Sequence, residues 1–514
     1  MKTSQNFKLT FLAIGTILFS YLFWKQGLGI NFGIFEIFIA TSVIIFYKDF
    51  YKSKTTLLTF AGTVITSLMI IIYGSVLASV IFIFSVILLI GYIHQPQLKL
   101  SLFSLISSIV DYFSIGKGLK SEIKINQDRK RNFSKIGRFI KTALIPIFVL
   151  IIFYIIFKNA NPVFEKFSDK IFQNINDLFS EIFKNISFGR IIFTLWGLSV
   201  IAWIIFNSKN NFFSEFEKQF KEIVERKREK RVIFQIANQA NNLNNRANNK
   251  IKLNLKNEFR TAILLIISIN LLLLIINIID INWIWFGFEY KGDFSLKQFV
   301  HEGTYLLILS ILISMGIMIY YFRKNINFYP NSKFLKYLSY AWIFQNVILT
   351  ISVIIRNYHY IYYFDLAYKR IGLFAFLILV LVGLFTLFQK IRNRKTGYYL
   401  FRVNTLAVYI VMVLMTLVNW DSVIAKYNMT SRNNEKIDTY FLLRLTDNTL
   451  PILDEYQYVL DKNQEYISRK HIHNQKIQDF IMDYRNRGWQ SWNIADYKAY
   501  NYLLNRPYKV DSIN

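Results

Sequence analysis

The side chains best suited to chemistry in this chain are polar groups beside the ends of four apolar stretches in its second half. Basic groups there could bind an anionic headgroup or a peptide through charge-assisted hydrogen bonds, and a His–Glu pair could pass a proton. Aromatic and basic residues also serve as plain interfacial anchors at helix ends, which is the competing interpretation. The candidate cluster comprises His301, Glu302, Arg356, Asn357, Lys369, Arg370 and Asp421.

Three further candidates lie inside apolar stretches, where polar and ionisable groups are costly. Glu36 could carry a proton or bind a cation, although it lies close enough to the end of its stretch to reach the headgroup region. Gln345 and Asn346 are adjacent in the middle of another stretch. We interpret these two amides as interhelical hydrogen-bonding groups.

The spacing of the residues excludes several catalytic motifs. His301 and Glu302 begin like the zinc-protease HExxH motif, but Tyr305 occupies the position of the second His. The Gly-Lys-Gly sequence at residues 116–118 lacks the upstream Gly and the Ser or Thr of a P-loop. The chain has five His and no Cys, which excludes thiolate ligands and disulfides. We therefore predict no catalytic centre, no cofactor and no metal site.

The elements that must hold these groups are apolar stretches that match the length of a membrane-spanning helix. A hydrocarbon core of about 30 Å requires roughly 20 apolar residues, and every backbone polar group inside it must be paired within the segment. The 514 residues are 54% hydrophobic. These features predict an all-α polytopic integral membrane protein with about eleven transmembrane helices and a small helical C-terminal domain. The predicted spans are 9–24, 32–47, 56–73, 76–94, 139–157, 191–206, 261–279, 305–322, 335–355, 371–388 and 403–418.

The formal net charge of +29 is concentrated in alternate connections between these spans. By the positive-inside rule the basic connections face the cytoplasm, which puts the N-terminus inside and the C-terminus outside. All four polar motifs then share the outer face. Because the cations flank apolar helices, we expect the lipid bilayer as the partner and no nucleic acid. The basic connections are 48–54, 95–138, 207–260, 323–333 and 390–402.

The same pattern predicts four regions. An N-terminal membrane half (1–206) contains an outer amphipathic helix at 163–187, and a basic, Asn-rich cytoplasmic loop (207–260) follows. A C-terminal membrane half (261–418) precedes the soluble helical domain (419–514). Cations of the loop could contact anionic lipid or a cytoplasmic protein, and its Asn-rich tract is typical of a flexible linker.

The second half also carries an ordered set of five motifs. They are Phe294-Ser295-x-x-x-Phe299-Val300-His301-Glu302-Gly303, Ala341-Trp342-Ile343-x-Gln345-Asn346, Arg356-Asn357-x-x-Tyr360-Ile361, Tyr368-Lys369-Arg370-Ile371-Gly372 and Asn419-Trp420-Asp421-x-x-Ile424-Ala425-x-Tyr427-Asn428. In this order the motifs resemble the DUF 4173 and DUF 4153 group of polytopic membrane proteins over about residues 260 to 450. That group is catalogued only as domains of unknown function. The resemblance implies a multi-pass protein of the bacterial cytoplasmic (inner) membrane and implies no activity.

The sequence leaves three functions open. The first is binding or transport of an envelope component by the polar cluster at the outer face. The second is a membrane scaffold or sensor with a cytoplasmic partner at loop 207–260. The third is a membrane enzyme of unidentified reaction, which the failed catalytic motifs disfavour.

Overall fold

Helices make up almost all of the regular structure in the described part of the chain. The computed structural model describes residues 5–116, 161–182, 187–207, 211–225, 241–286, 296–323, 325–330, 332–431 and 437–506, with isolated positions between 119 and 158. Within these ranges, the β pairing is a single bridge between Ile223 and Lys395. The all-α class predicted from the sequence is confirmed.

The helices are numbered in chain order. The first group is α1 (Gln5–Phe23), α2 (Ile30–Phe46), α3 (Lys54–Tyr73), α4 (Val76–His94), α5 (Ser101–Phe113), α6 (Pro162–Ile182) and α7 (Phe188–Ile205). The second group is α8 (Phe212–Glu217), α9 (Asn241–Asp280), α10 (Leu296–Tyr321), α11 (Ser332–Phe364), α12 (Tyr368–Asn393) and α13 (Gly397–Met415). The last group is α14 (Trp420–Thr430), α15 (Thr439–Leu443), α16 (Leu450–Glu455), α17 (Gln457–Leu460), α18 (Gln464–Asn486) and α19 (Ile494–Asn505).

Eight of the described helices are long and apolar enough to cross a membrane: α1, α3, α4, α7, α9, α11, α12 and α13. Helix α2 and the apolar part of α10, Tyr305–Tyr321, correspond to two further predicted spans but are shorter. The remaining predicted span, 139–157, lies largely outside the described residues. Many large side chains exposed on these helices are apolar, as lipid contact requires; examples are Ile17 (69%), Ile37 (68%) and Leu264 (68%). The protein is a polytopic integral membrane protein.

Two local predictions were wrong, and one helix was not predicted. The Asn-rich tract is helical from Asn241, because α9 runs without interruption from that tract through the following span to Asp280. The predicted spans 335–355 and 371–388 leave 356–370 as a connection, but α11 continues through the Tyr-rich part of it to Phe364. The unpredicted helix is α5, in the connection 95–138, and its buried face is made of Ser side chains and Asp111.

The chain divides into two compact units. Unit 1 comprises residues 1–98, 102–214 and 487–494, and unit 2 comprises 99–101, 215–486 and 495–514. The core of unit 1 is formed by apolar side chains of α1, α2, α3, α4 and α7, among them Leu22, Ile39, Ile70, Leu89 and Ile204. Unit 1 therefore combines the first membrane helices with a short segment from near the C-terminus.

That C-terminal segment lies against the turn between α1 and α2. The amide of Ile30 donates to the carbonyl of Trp492 (2.9 Å), and the amide of Gly27 donates to the hydroxyl of Ser491 (2.7 Å). Asn31 organises the turn itself, since its side chain donates to two backbone carbonyls and accepts from two backbone amides. All hydrogen-bonding capacity of this fully buried amide is used.

Unit 2 contains an apolar core in its membrane helices and separate cores in its C-terminal helices. Side chains of α9, α10, α11 and α12 form the first core, including Ile266, Ile311, Trp342 and Leu384. Helices α14 to α18 enclose a second core around Ile424, Leu453 and Tyr466, and α18 packs with α19 through Phe480 and Leu503. The described C-terminal residues form helices, as the sequence predicts.

Candidate functional site

Arg356, one of the predicted outer-face residues, is paired inside the helix bundle of unit 2. Its Nη2 lies 2.6 Å from Oδ1 of Asp280 at the end of α9, and the two side chains are 8% and 4% exposed. A buried charge is tolerated in a protein when an opposite charge neutralises it at close range. The charge of Arg356 is therefore neutralised by a carboxylate inside the bundle.

Asn357 and Arg370 hold the turn between α11 and α12. Asp365 ends α11 with a left-handed backbone (φ 65°). Asn357 donates from Nδ2 to the carbonyl of Arg370 (3.0 Å), and Arg370 donates to the carbonyl of Phe364 (2.5 Å). The Arg370 guanidinium also lies 4.3 Å from the centroid of the Tyr360 ring, within cation–π range.

The C-terminal helices are hydrogen-bonded to this same turn. The Asn428 side chain of α14 accepts from the amide of Leu366 (2.8 Å) and donates to its carbonyl (3.0 Å), as a neighbouring strand would. Ser431 donates to Oδ1 of Asp365 (2.7 Å). Burial raises the pKa of Asp365, while the Ser431 hydrogen bond and the charge of Arg370 oppose that increase.

Asp421, in the first turn of α14, joins the start of α12 to a later turn. Its Oδ1 accepts from the Tyr368 hydroxyl (2.5 Å), and its Oδ2 accepts from the Thr446 amide (3.2 Å) and hydroxyl (2.5 Å). We call Asn357, Asp365, Arg370, Asp421 and Asn428 the turn cluster.

Of the predicted outer-face residues, Asn357, Arg370 and Asp421 thus come together in the turn cluster, and Arg356 lies one residue before it on α11. Lys369 is exposed. His301 and Glu302 lie on α10, but their side chains are outside the described part of the structure. The turn cluster joins helices to one another. Among the described members of the predicted outer-face set, Lys369 is the exposed cation.

Two acidic residues at the other end of α12 were not predicted as site residues. Glu217 accepts from the amides of Lys99 (2.9 Å) and Leu100 (2.7 Å) and from the Tyr398 hydroxyl (2.7 Å). It is 6% exposed. A single carboxylate therefore joins the beginning of loop 207–260 to the segment before α5 and to the start of α13.

Glu222 attaches the same part of loop 207–260 to the residues that follow α12 and to α13. Its carboxylate lies 2.8 Å from Arg402 and 3.8 Å from Lys395. Its backbone carbonyl accepts from the amide of Thr396 (2.9 Å). We call Glu217 and Glu222 the acidic anchor. Acidic residues inside an otherwise basic loop were the sequence signal that could have identified it.

A buried polar chain in unit 1 was also missed. His94, the last residue of α4, lies 3.1 Å through Nδ1 from Oδ2 of Asp111 and 3.0 Å through Nε2 from the hydroxyl of Tyr47. The Tyr47 hydroxyl donates to the carbonyl of Ile204 (3.0 Å). The chain joins α2, α4, α5 and α7, and its enclosed position makes it a structural link between helix ends.

The three predicted intramembrane groups have different surroundings. Gln345 donates to Oδ1 of Asn270 (3.1 Å), which connects α11 to α9. Asn346 donates to the carbonyl of Trp342 (2.8 Å) within its own helix. Glu36 on α2 is 4% exposed, and its Oε1 lies 2.7 Å from the Thr63 hydroxyl of α3.

The described residues contain no group of three or more His, Asp or Glu side chains that could hold a metal ion. No curated protein and no solved structure matches the chain. The sequence model of DUF4153, a domain of unknown function, matches residues 13–456. The match confirms the resemblance inferred from the second half and extends it through the N-terminal membrane helices. The chain belongs to the DUF4153 family.

Proposed function

We propose that the protein is a membrane scaffold and sensor that links its C-terminal helical domain to a basic loop on the opposite side of the membrane. The observation that carries this proposal is that α12 has an attachment site at each end. The turn cluster binds the C-terminal helices at its start, and the acidic anchor binds the beginning of loop 207–260 just beyond its end.

The length of α12 supports this interpretation. Its 26 residues rise about 39 Å at about 1.5 Å per residue, which exceeds a hydrocarbon core of about 30 Å. A helix of this length is a rigid connection, so a displacement of the C-terminal helices at one end is transmitted to the acidic anchor at the other. By the positive-inside rule the basic loop is cytoplasmic and the C-terminal domain is extracytoplasmic, in the inner membrane of a bacterium.

Binding of an anionic envelope component at the outer face receives less support from the geometry. Arg356 is neutralised by Asp280, and Arg370 is committed to Phe364 and Tyr360. An anionic headgroup would have to displace these contacts. An enzymatic function receives no support from any described group.

Cysteine labelling in intact cells tests the transmembrane arrangement, and the absence of native Cys makes every label specific. Gln478 on α18 and Gln219 beyond α8 are both exposed. We expect a membrane-impermeant maleimide to label the Gln478→Cys variant in intact cells and the Gln219→Cys variant only after lysis. Labelling of both or of neither in intact cells would overturn the proposal.

A cytoplasmic protein is the proposed partner of the basic segment Arg226–Arg231. Replacing its five Lys and Arg residues by Gln leaves the acidic anchor intact, whereas deleting the whole loop would remove it. A photo-crosslinker at residue 228 should capture a cytoplasmic protein in the otherwise native chain, and the capture should fail when the other four cations are replaced. Crosslinks to lipid alone would reject the protein partner.

A further inference from the structure

Glu36 is a buried ionisable side chain among the apolar helices of unit 1. It lies six residues after the start of α2, about 9 Å along the helix axis, and is 4% exposed. Its Oε1 contacts the Thr63 hydroxyl, and its Oε2 is buried with no hydrogen-bond partner. An ionised carboxylate with one unpaired oxygen in such a position is very costly, whereas the neutral acid is far less so.

Helix α3 presents a row of hydroxyl groups on its buried face. Thr56, Thr59, Thr63 and Thr66 recur at intervals of three or four residues, so successive groups are about 4.5–6 Å apart along the axis. Thr59 and Thr66 each donate to a carbonyl one turn earlier. The Thr56 hydroxyl at the beginning of the row is buried and has no hydrogen-bond partner. The row therefore leads from the first turn of α3 to the carboxyl of Glu36.

Thr63 has a single hydroxyl hydrogen but two close contacts, which indicates that Glu36 carries a proton. A Thr hydroxyl has one hydrogen to donate. The Thr63 oxygen lies 2.8 Å from the Phe60 carbonyl and 2.7 Å from Glu36 Oε1. If Thr63 donates to the preceding turn, as its neighbours on the row do, then Glu36 must supply the hydrogen of the second contact. A protonated Glu36 satisfies both contacts.

The cations on the elements packed against α2 lie near the ends of those elements, with Lys25 in the α1–α2 turn and Arg487 in the segment 487–494. Lys8 on α1, Lys54 on α3 and Arg190 on α7 all lie within the first few residues of their helices. Lys54 is nine residues before Thr63, about 13 Å along the axis. Among the described residues, no Lys or Arg forms an ion pair with Glu36, whose Oε2 has no partner.

From these observations we propose that Glu36 is a reversible proton-binding site, reached along the hydroxyl row of α3 from the helix end at Thr56. Protonation forms the O–H bond that donates to Thr63, and deprotonation breaks that bond and releases the proton along the row to water at the Thr56 end of α3. This inference does not depend on the scaffold function proposed above.

Carbodiimide labelling tests the proposal, because dicyclohexylcarbodiimide adds to protonated carboxyl groups in apolar surroundings. The full-length protein in lipid nanodiscs is treated and the modified peptide is identified by mass spectrometry. We expect modification at Glu36, its loss in Glu36→Gln and no effect of Glu465→Gln, which removes an exposed carboxylate. Absence of modification at Glu36 in the folded protein would overturn the proposal. Protection by sodium chloride would also overturn it, because it would indicate a cation site.

Infrared difference spectroscopy provides an independent readout. The spectrum of the wild type minus that of Glu36→Gln should contain the carbonyl band of a protonated carboxylic acid. The band should shift in D₂O, since a group on a proton path exchanges, and it should disappear reversibly at high pH. Thr56→Val should slow the exchange at least several-fold. A band that never exchanges would contradict a path, and a carboxylate band at neutral pH would contradict protonation.

Discussion

Asp280 and Arg356 form a buried ion pair, 2.6 Å apart, between the end of α9 and the interior of α11. Such a pair adds little over well-packed apolar side chains, but the loss of one partner leaves a buried charge without compensation. The pair therefore holds α9 and α11 together. A ligand could bind either side chain only by breaking the ion pair.

We predict that Arg356→Ala destabilises unit 2 by about 3–5 kcal/mol, because Asp280 is left unpaired in the bundle. The double variant Asp280→Asn, Arg356→Gln should lose clearly less stability than Arg356→Ala, since it carries no unpaired charge. Thermal unfolding in detergent, followed by tryptophan fluorescence, measures both effects. Lys369→Ala, which removes an exposed cation from the same region, is the control. A loss in Arg356→Ala no greater than in that control would contradict the structural role of the pair.

The contact between residues 487–494 and the α1–α2 turn depends on Gly29. A Cβ at this position would lie 2.4 Å from the Trp492 carbonyl oxygen and 2.5 Å from the Ser491 carbonyl carbon. Both neighbours are backbone atoms, which cannot move aside as a flexible side chain can. We predict that Gly29→Ala displaces the segment, with faster hydrogen exchange in peptides covering 24–31 and 487–494.

Gly372→Ala is the matched control for that experiment, because nothing lies within 4 Å of the Cβ it would add. It should leave exchange in both peptides unchanged. Equal exchange in Gly29→Ala and the wild type would show that residues 487–494 are held in place by other contacts.

The membrane helices could be predicted from the sequence because their signal is local. A long apolar run such as Ala262–Ile279 must form a helix in hydrocarbon, whatever surrounds it. Helix ends were less predictable. Helix α11 extends nine residues beyond its predicted span, since polar and aromatic residues such as Asn357 and Tyr360 continue the helix where they have tertiary partners.

The site was less predictable than the fold. Arg356 was recognised as a candidate, but its partner Asp280 is 76 residues away in the chain, and no local pattern predicts such a pairing. The same applies to Glu217, whose partners at Lys99 and Tyr398 come from distant segments. Hydropathy and loop charge specify which residues lie at helix ends, but not which ends meet.

The acidic anchor gives a prediction for the start of the basic loop. Glu217→Ala removes the acceptor of two backbone amides and of the Tyr398 hydroxyl. Hydrogen bonds to a charged group contribute about 1.5–3 kcal/mol each, so a loss of at least about 3 kcal/mol is expected. Glu215→Ala, an exposed acid on the same short helix, should change stability by less than about 0.5 kcal/mol. Thermal unfolding compares the two variants; similar melting temperatures would argue against an anchoring role.

The C-terminal helices should lose stability in mild acid because of His473. Burial lowers the pKa of His473 to about 4, below its ordinary value of 6.5. Between these values the unfolded chain binds a proton that the folded domain does not. The stabilising contribution is therefore complete above pH 6.5 and is lost progressively as the pH falls towards 4, by about 3 kcal/mol.

Hydrogen exchange in α18 peptides, corrected for the intrinsic rate at each pH, measures this loss between pH 7 and 4. The Tyr466 hydroxyl lies 2.6 Å from His473 Nδ1 and keeps the neutral imidazole hydrogen-bonded. His473→Gln should therefore reduce protection at pH 7 and remove most of the acid-dependent slope. His471→Gln, which replaces an exposed neighbour, should retain the wild-type profile. Parallel profiles for the wild type and His473→Gln would assign the acid sensitivity to other groups, whereas a flattened profile in His473→Gln alone would identify the buried imidazole as its source.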